Sequence, residues 1–263
     1  MNRHIERVRR AIWSYKQPLT RAPSIAGAPV SDLFVWRNSE EWETFFELTD
    51  LPALFAEREI ASGYVILVFF DAVGQLLFEK TIEVAAGRRN TLVLSEIIGS
   101  KFGSVGTFAV FHSHTPQKLQ GLGSHLAERG YVSYRYRSAP LRAYVHGNLD
   151  AIARLPDQSL QLLGGRSIRR REYNLQYALD VHGSYELVIV NSTPKKQKIV
   201  CRTLAASGKI EHKQTFGLLP RGIHLFRVAP KHDLLRVVIS SRLIMARPLV
   251  FHIQNQTMDV FHG

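Results

Sequence analysis

Cysteine is almost absent from this 263-residue chain, and that scarcity excludes several chemistries at once. With Cys201 alone, no intramolecular disulfide forms and no zinc site draws two or more thiolates from the chain. Cys201 lies in Lys198-Ile199-Val200-Cys201-Arg202-Thr203, which reads as a strand, so a packed thiol is expected rather than a nucleophile. Long apolar runs are missing too: none reaches the roughly 18 residues that span a bilayer, so no transmembrane segment is expected. The opening residues Met1 to Arg10 lack the continuous apolar stretch of a secretory signal, which reads as a cytoplasmic protein of a reducing compartment. No phosphate loop, dinucleotide fingerprint, His-Glu-x-x-His helix or Gly-x-Ser-x-Gly elbow occurs. Acidic residues are scarce relative to basic ones: 22 Asp and Glu against 34 Lys and Arg leave a formal charge of +12. That excess favours anionic partners such as nucleic acid, lipid head groups, acidic polysaccharide or nucleotide-linked sugars.

What is present is a series of short β-favouring runs separated by turn residues. Tyr64 to Phe70, Leu76 to Ile82, Thr91 to Leu94 and Thr107 to Phe111 form one set. Ser184 to Val190, Lys198 to Thr203, Ile223 to Val228, Leu235 to Ile239 and Leu249 to Phe251 form another. No helix of crossover length separates neighbouring runs, which argues for antiparallel pairing. Val110-Phe111-His112 and Val250-Phe251-His252 close comparable runs, and each is followed by an element ending in His-Gly, at His146-Gly147 and His262-Gly263. The expectation is therefore a mainly β protein of two tandem antiparallel β-sandwich-like modules related as a pseudo-repeat, with a short N-terminal helix and a few other short helices. Its divisions are an amphipathic helix and linker over 1–29, module 1 over 30–150, a helical and basic linker over 151–171, and module 2 over 172–263. Within these, Asn38 caps a helix carrying Trp42, Phe45, Phe46 and Leu48, Asn148 to Ala153 forms a short helix, and Gly164 to Arg171 forms a hinge.

Three constellations carry candidate chemistry. His112 and His114, two apart at a strand end, share a face, and His146 is the natural third ligand, with His125 as an alternative, of a three-histidine site for a divalent transition metal. Gly106 to His114 resembles the opening of the cupin metal motif, a Gly, five residues, then His-x-His. The acidic ligand that cupins place a few positions later is absent, since Thr115-Pro116-Gln117 follows, and the family is not carried over. Gln254 stands where a second His114 would stand, so the metal site is not duplicated.

The second constellation begins at Gly121 and Gly123, which bracket a loop with Ser124 and His125. Tyr134, Arg135, Arg137, Arg142 and Tyr144 follow. Aromatic faces interleaved with guanidinium groups suit sugar rings by stacking and anionic groups by bidentate hydrogen bonds. The third is the basic run Arg166 to Arg171, suited to phosphates. The functional expectation is a non-catalytic or accessory binding protein for a polar, anionic ligand, with carbohydrate or sugar-phosphate preferred. The alternatives are a metal-dependent enzyme using Glu128 as acid or base, and an RNA-binding protein using the basic surface.

Overall fold

The computed structural model describes residues 18–54, 62–99, 101–113, 126–137, 139–244 and 247–263. The expected N-terminal helix over Ile5 to Trp13 lies outside the described residues, as do His114, Ser124 and His125. Strand accounts for 58% of the described residues and helix for 4%, so β structure dominates as the composition predicts.

The strands form five four-stranded sheets, arranged as a five-bladed β-propeller of small sheets and not as two tandem sandwich modules. One sheet orders β2 (Phe34–Arg37), β7 (Val105–His112), β4 (Ser62–Asp71) and β5 (Leu76–Ala85). A second orders β10 (Ala143–His146), β9 (Tyr131–Tyr136), β3 (Trp42–Thr49) and β6 (Arg89–Val93). A third, smaller one orders β12 (Leu160–Leu162), β11 (Ile152–Arg154), β1 (Val30–Ser31) and β8 (Ala127–Glu128). The rest of the chain supplies β13 (Arg166–Asn174), β18 (Arg236–Leu243), β15 (Gln197–Leu204) and β16 (Ile210–Leu218) in one sheet. The fifth contains β17 (Ile223–Val228), β14 (Ser184–Val190), β19 (Leu249–Gln254) and β20 (Thr257–His262). Two short helices, α1 (Leu51–Leu54) and α2 (Leu94–Ile98), complete the described elements.

The sandwich expectation fails for a reason visible in β4. A two-layer sandwich leaves one face of each sheet wet, so its strands alternate apolar and polar. In β4, Val65, Leu67 and Phe69 enter the largest core while Val68 and Phe70 enter a second core on the opposite face. β7 divides likewise, with Phe108 and Val110 on one side and Ala109 and Phe111 on the other. The second core is closed by Leu33, Ala151 and Ile152, from the small sheet and the chain leading into it. A continuous apolar run here means a strand covered on both faces. The tandem-repeat framing falls with the sandwich: the chain before residue 165 builds three sheets and the chain after it builds two.

The stretches on either side of residue 165 also share a core. The largest cluster joins Trp42, Phe46, Val110 and Tyr134 to Val188, Ile223, Phe251 and Val260. Across this junction the Arg37 guanidinium bonds Glu186 at 2.5 Å, lies 3.4 Å above the Trp42 ring, and shares Glu186 with Arg227 at 2.8 Å.

Three local expectations are also corrected. Residues 42–49 form β3 rather than a helix, because Trp42, Thr44, Phe46 and Leu48 alternate inward. Residues 148–151 are not helical and lead into β11, the amides of Asn148 and Leu149 donating to Asp32 and that of Ala151 to the Ser31 carbonyl. The basic run from Arg166 is an edge strand, and the glycines before it are packed: a side chain at Gly164 would meet Ser192, and one at Gly165 would meet the Pro18 carbonyl. Among the described residues no helix is long and apolar enough to cross a membrane.

Candidate functional site

The outer face of the β10-β9-β3-β6 sheet gathers most of the chemistry-bearing side chains of the first constellations. Val132, Tyr134 and Tyr136 of β9 turn inward opposite Phe46, Thr44 and Trp42 of β3. Strand alternation then sends Tyr131 and Arg135 outward, opposite Glu47 and Glu43. Phe45 also lies on this outer face yet is buried, because Arg142 and Arg135 cover it with guanidinium carbons 4.4 and 5.5 Å from the ring centre. Arg142 also stands 5.6 Å from the Tyr144 ring, and Arg89 stands 6.0 Å from it on another side.

Every one of these cations has a carboxylate neighbour. Arg135 pairs with Glu43, Arg89 pairs with Glu47, and Arg142 lies 3.9 Å from Glu47. Arg137, in a left-handed backbone conformation (φ 53°), pairs with Glu41 at 2.8 Å.

Beside this face opens a cleft of about 890 Å³ whose lining includes Glu47, Arg89, Glu128, Arg129, Tyr131 and Tyr144. Tyr131 and Tyr144 are 55% and 42% exposed. Arg129 reaches Asp150 through Nε at 3.0 Å and Nη2 at 2.7 Å. Glu128 is buried, and one of its oxygens meets His112 Nε2 at 2.7 Å in an equally buried pair. The other ring nitrogen of His112, Nδ1, has no hydrogen-bond partner among the described residues. Gly130 sets the cleft wall: a Cβ there would lie 2.6 Å from the Glu47 carbonyl and 3.0 Å from Glu128 Oε1.

A second cluster forms where the two His-Gly endings meet. The His146 and His262 rings lie 5.2 Å apart at the edge of a cavity of about 90 Å³, whose lining includes Asp32, Asn148 and Arg247. His262 Nε2 donates to the His146 carbonyl at 2.9 Å, which leaves Nδ1 to accept from Asn148 Nδ2 at 2.9 Å. That pattern requires neutral imidazole, and burial holds the His262 pKa below its usual value. Asp32 accepts from the amides of Leu33 and Asn148, each at 2.7 Å, and of Leu149 at 3.2 Å. Burial nevertheless pushes its pKa up to about 6, and the three amides and Arg129 only partly oppose that rise.

Of the three expected metal ligands, two are described, and each has a different neighbour. His112 belongs to Glu128 and His146 to His262, while His114 lies outside the described residues. Among the described residues no group of three or more His, Cys, Asp or Glu side chains is placed to hold a metal ion. Of the ligand-binding candidates, Arg142 and Tyr144 stand on the outer face, Arg135 and Arg137 flank it in ion pairs, and Ser124 and His125 are not described. Tyr134 is instead a core residue: its ring is fully buried and its hydroxyl donates to the Val35 carbonyl at 2.9 Å. Cys201 is likewise interior, and burial pushes its thiol up to about 12.

Glu47, Arg89, Arg129 and Asp32 are the residues that sequence reasoning passed over. The signal for Glu47 was the period-2 pattern of residues 42–49, which places it outward between inward Phe46 and Leu48. No family model and no curated protein matches the chain, so the reading of the site rests on its geometry.

Proposed function

We propose that the protein is a non-catalytic binding protein for a carbohydrate bearing an acidic or phosphate group, taken into the cleft beside Tyr131 and Tyr144. The observation that carries this reading is the convergence, on one open cleft, of two exposed tyrosine rings with the Arg89 and Arg129 guanidinium groups and the carboxylates of Glu47 and Glu128. An aromatic ring offers a flat apolar surface to a sugar ring. Arg89 and Arg129 keep more than half of their side-chain surface in water, so an anionic substituent can reach them. Binding is favoured over catalysis because both buried carboxylates are engaged, Glu128 by His112 and Glu47 by Arg89. A general acid or base needs a proton-donating or proton-accepting position facing the substrate.

The test is a glycan array and a nucleotide-sugar thermal-shift panel on the untagged protein, followed by titration of the best ligand. Tyr144→Ala and Tyr131→Ala are each expected to weaken binding about tenfold or more, a loss of roughly 1.4 kcal/mol, with little change in Tm. No ligand on either panel, or affinities indifferent to both substitutions, would overturn the proposal. Stoichiometric transition metal that is lost in His112→Ala would move the reading to the three-histidine enzyme.

A further inference from the structure

We propose that the outward face of the β13-β18-β15-β16 sheet is a docking surface for the phosphate backbone of duplex nucleic acid, engaged without regard to base sequence. The face is built by strand alternation. Ile199 and Cys201 of β15 and Val237 and Ile239 of β18 turn inward and are buried in the second-half core. Their neighbours along each strand must then point outward: Lys198 and Arg202 from β15, Arg236 and Arg242 from β18. The register sets Arg202 opposite Lys213 of β16 on one side and Val238 on the other, so Arg236 lies one diagonal step from Arg202. Arg170 reaches in from the edge strand, its Nη2 donating to the Lys198 carbonyl at 2.7 Å.

Charge balance separates this face from the cleft. There, each cation faces a carboxylate. Here, of the six cations named, only Arg202 is paired with a carboxylate among the described residues, that of Glu172. Same-face residues along a strand are about 6.6 Å apart and adjacent strands about 4.8 Å apart, so Arg236 to Arg242 spans roughly 20 Å. The result is a two-dimensional array of positive charge. A duplex presents one phosphate charge per about 1.7 Å of axis, in two rows, and suits such an array better than a single row does.

The same face lacks what other polyanions would need. Single-stranded binding relies on exposed aromatic rings for base stacking. The aromatic of β16, Phe216, instead faces the inner side opposite Ile199 and stacks on His224 with ring centres 3.6 Å apart. Docking on a lipid surface uses apolar side chains that insert between head groups. Val238, at the centre of the array, is buried, and the exposed Ile168 and Ile210 belong to the two edge strands. This inference is independent of the sugar-binding cleft, which lies on a different sheet.

Fluorescence anisotropy with mixed-sequence duplexes of about 20 base pairs, DNA in one arm and RNA in the other, measures affinity across roughly 50–250 mM salt. The expected result is salt-sensitive binding that is unchanged when the duplex sequence is scrambled. Lys213→Gln with Arg236→Gln should weaken binding at least tenfold and flatten the slope of log affinity against log salt by about 2. Lys80→Gln, on the exposed edge strand β5 of another sheet, should change neither. Absence of binding, equal loss with Lys80→Gln, or a preference for phosphatidylserine vesicles over both duplexes would overturn the proposal.

Discussion

Asp32 shows how much one buried carboxylate does for the chain around it. Its oxygens hold the amides of Leu33, Asn148 and Leu149, which pins the connection between β10 and β11 against β1 and shapes the cavity beside His146 and His262. Three amide donors would ordinarily keep a carboxyl well ionised, yet here burial prevails and the pKa stands at about 6 against 3.8 in the unfolded chain. The folded state therefore holds a proton that the unfolded state releases between these values. The stability so gained is fully present below pH 3.8 and is lost as pH rises through about 6. Asp32→Asn removes the titration. The stability of the native protein relative to that variant should fall by about 3 kcal/mol between pH 3.5 and pH 7, read from urea midpoints at each pH. A difference that stays flat across the window would show that Asp32 titrates in the fold as it does in the unfolded chain.

At the level of elements, the sequence was readable wherever pattern and burial agree and misleading where a side chain finds unusual cover. The apolar runs of β4, β7, β14 and β19 mark where these strands lie, but β4, β7 and β19 extend one to three residues past the runs at one end or both. β3 does not, because Phe45 adds an apolar residue on its outer face and converts a period of 2 into an apparent helical spacing; the guanidinium groups that bury Phe45 come from β9 and from the residue before β10, distant in sequence. Asn38, read as a helix cap, instead donates through Nδ2 to the Gly99 carbonyl at the end of α2. Arg166 to Arg171 read as a linker because its charge is plain in the sequence, whereas its strand partner β18 is some 70 residues away. Of the candidate site, Tyr144 and Arg142 were legible from aromatic and basic interleaving, but the carboxylates that neutralise the arginines arrive from β3 and could not be placed without register. The β3-β9 junction is also where a single atom should matter most. Gly130→Ala puts a Cβ 2.6 Å from both the Glu47 carbonyl and the Phe46 ring, backbone and fully buried side chain, neither of which can yield cheaply. A loss of about 1–3 kcal/mol is expected, together with weaker ligand binding in the cleft, measured by thermal melting and titration on the same sample. An unaltered melt would mean that β3 and β9 separate more readily than their packing implies.

The molecule as a whole is held by contacts that join distant parts of the chain, and Phe251 stands at their centre. Its ring lies 5.2 Å from Trp42 and 4.8 Å from Tyr134, both at steep angles, and 4.9 Å beneath the Arg37 guanidinium. Arg37 in turn is bound to Glu186, and burial of that guanidinium lowers its pKa while Glu186 opposes the change. A core of this kind couples the sheets built before residue 165 to those built after it, so they should unfold together. The chain carries its own probes for this. All three tryptophans, Trp13, Trp36 and Trp42, precede the junction, while the one thiol, Cys201, is fully buried after it. In urea, the loss of native tryptophan fluorescence and the exposure of Cys201 to a thiol reagent should share one midpoint. Phe251→Ala should lower both midpoints together, by about 3–5 kcal/mol of stability, because it empties a site that the surrounding sheets cannot close. Two separated midpoints, with only the thiol transition moved by the substitution, would instead describe two bodies that fold on their own and meet at a surface of little consequence to either.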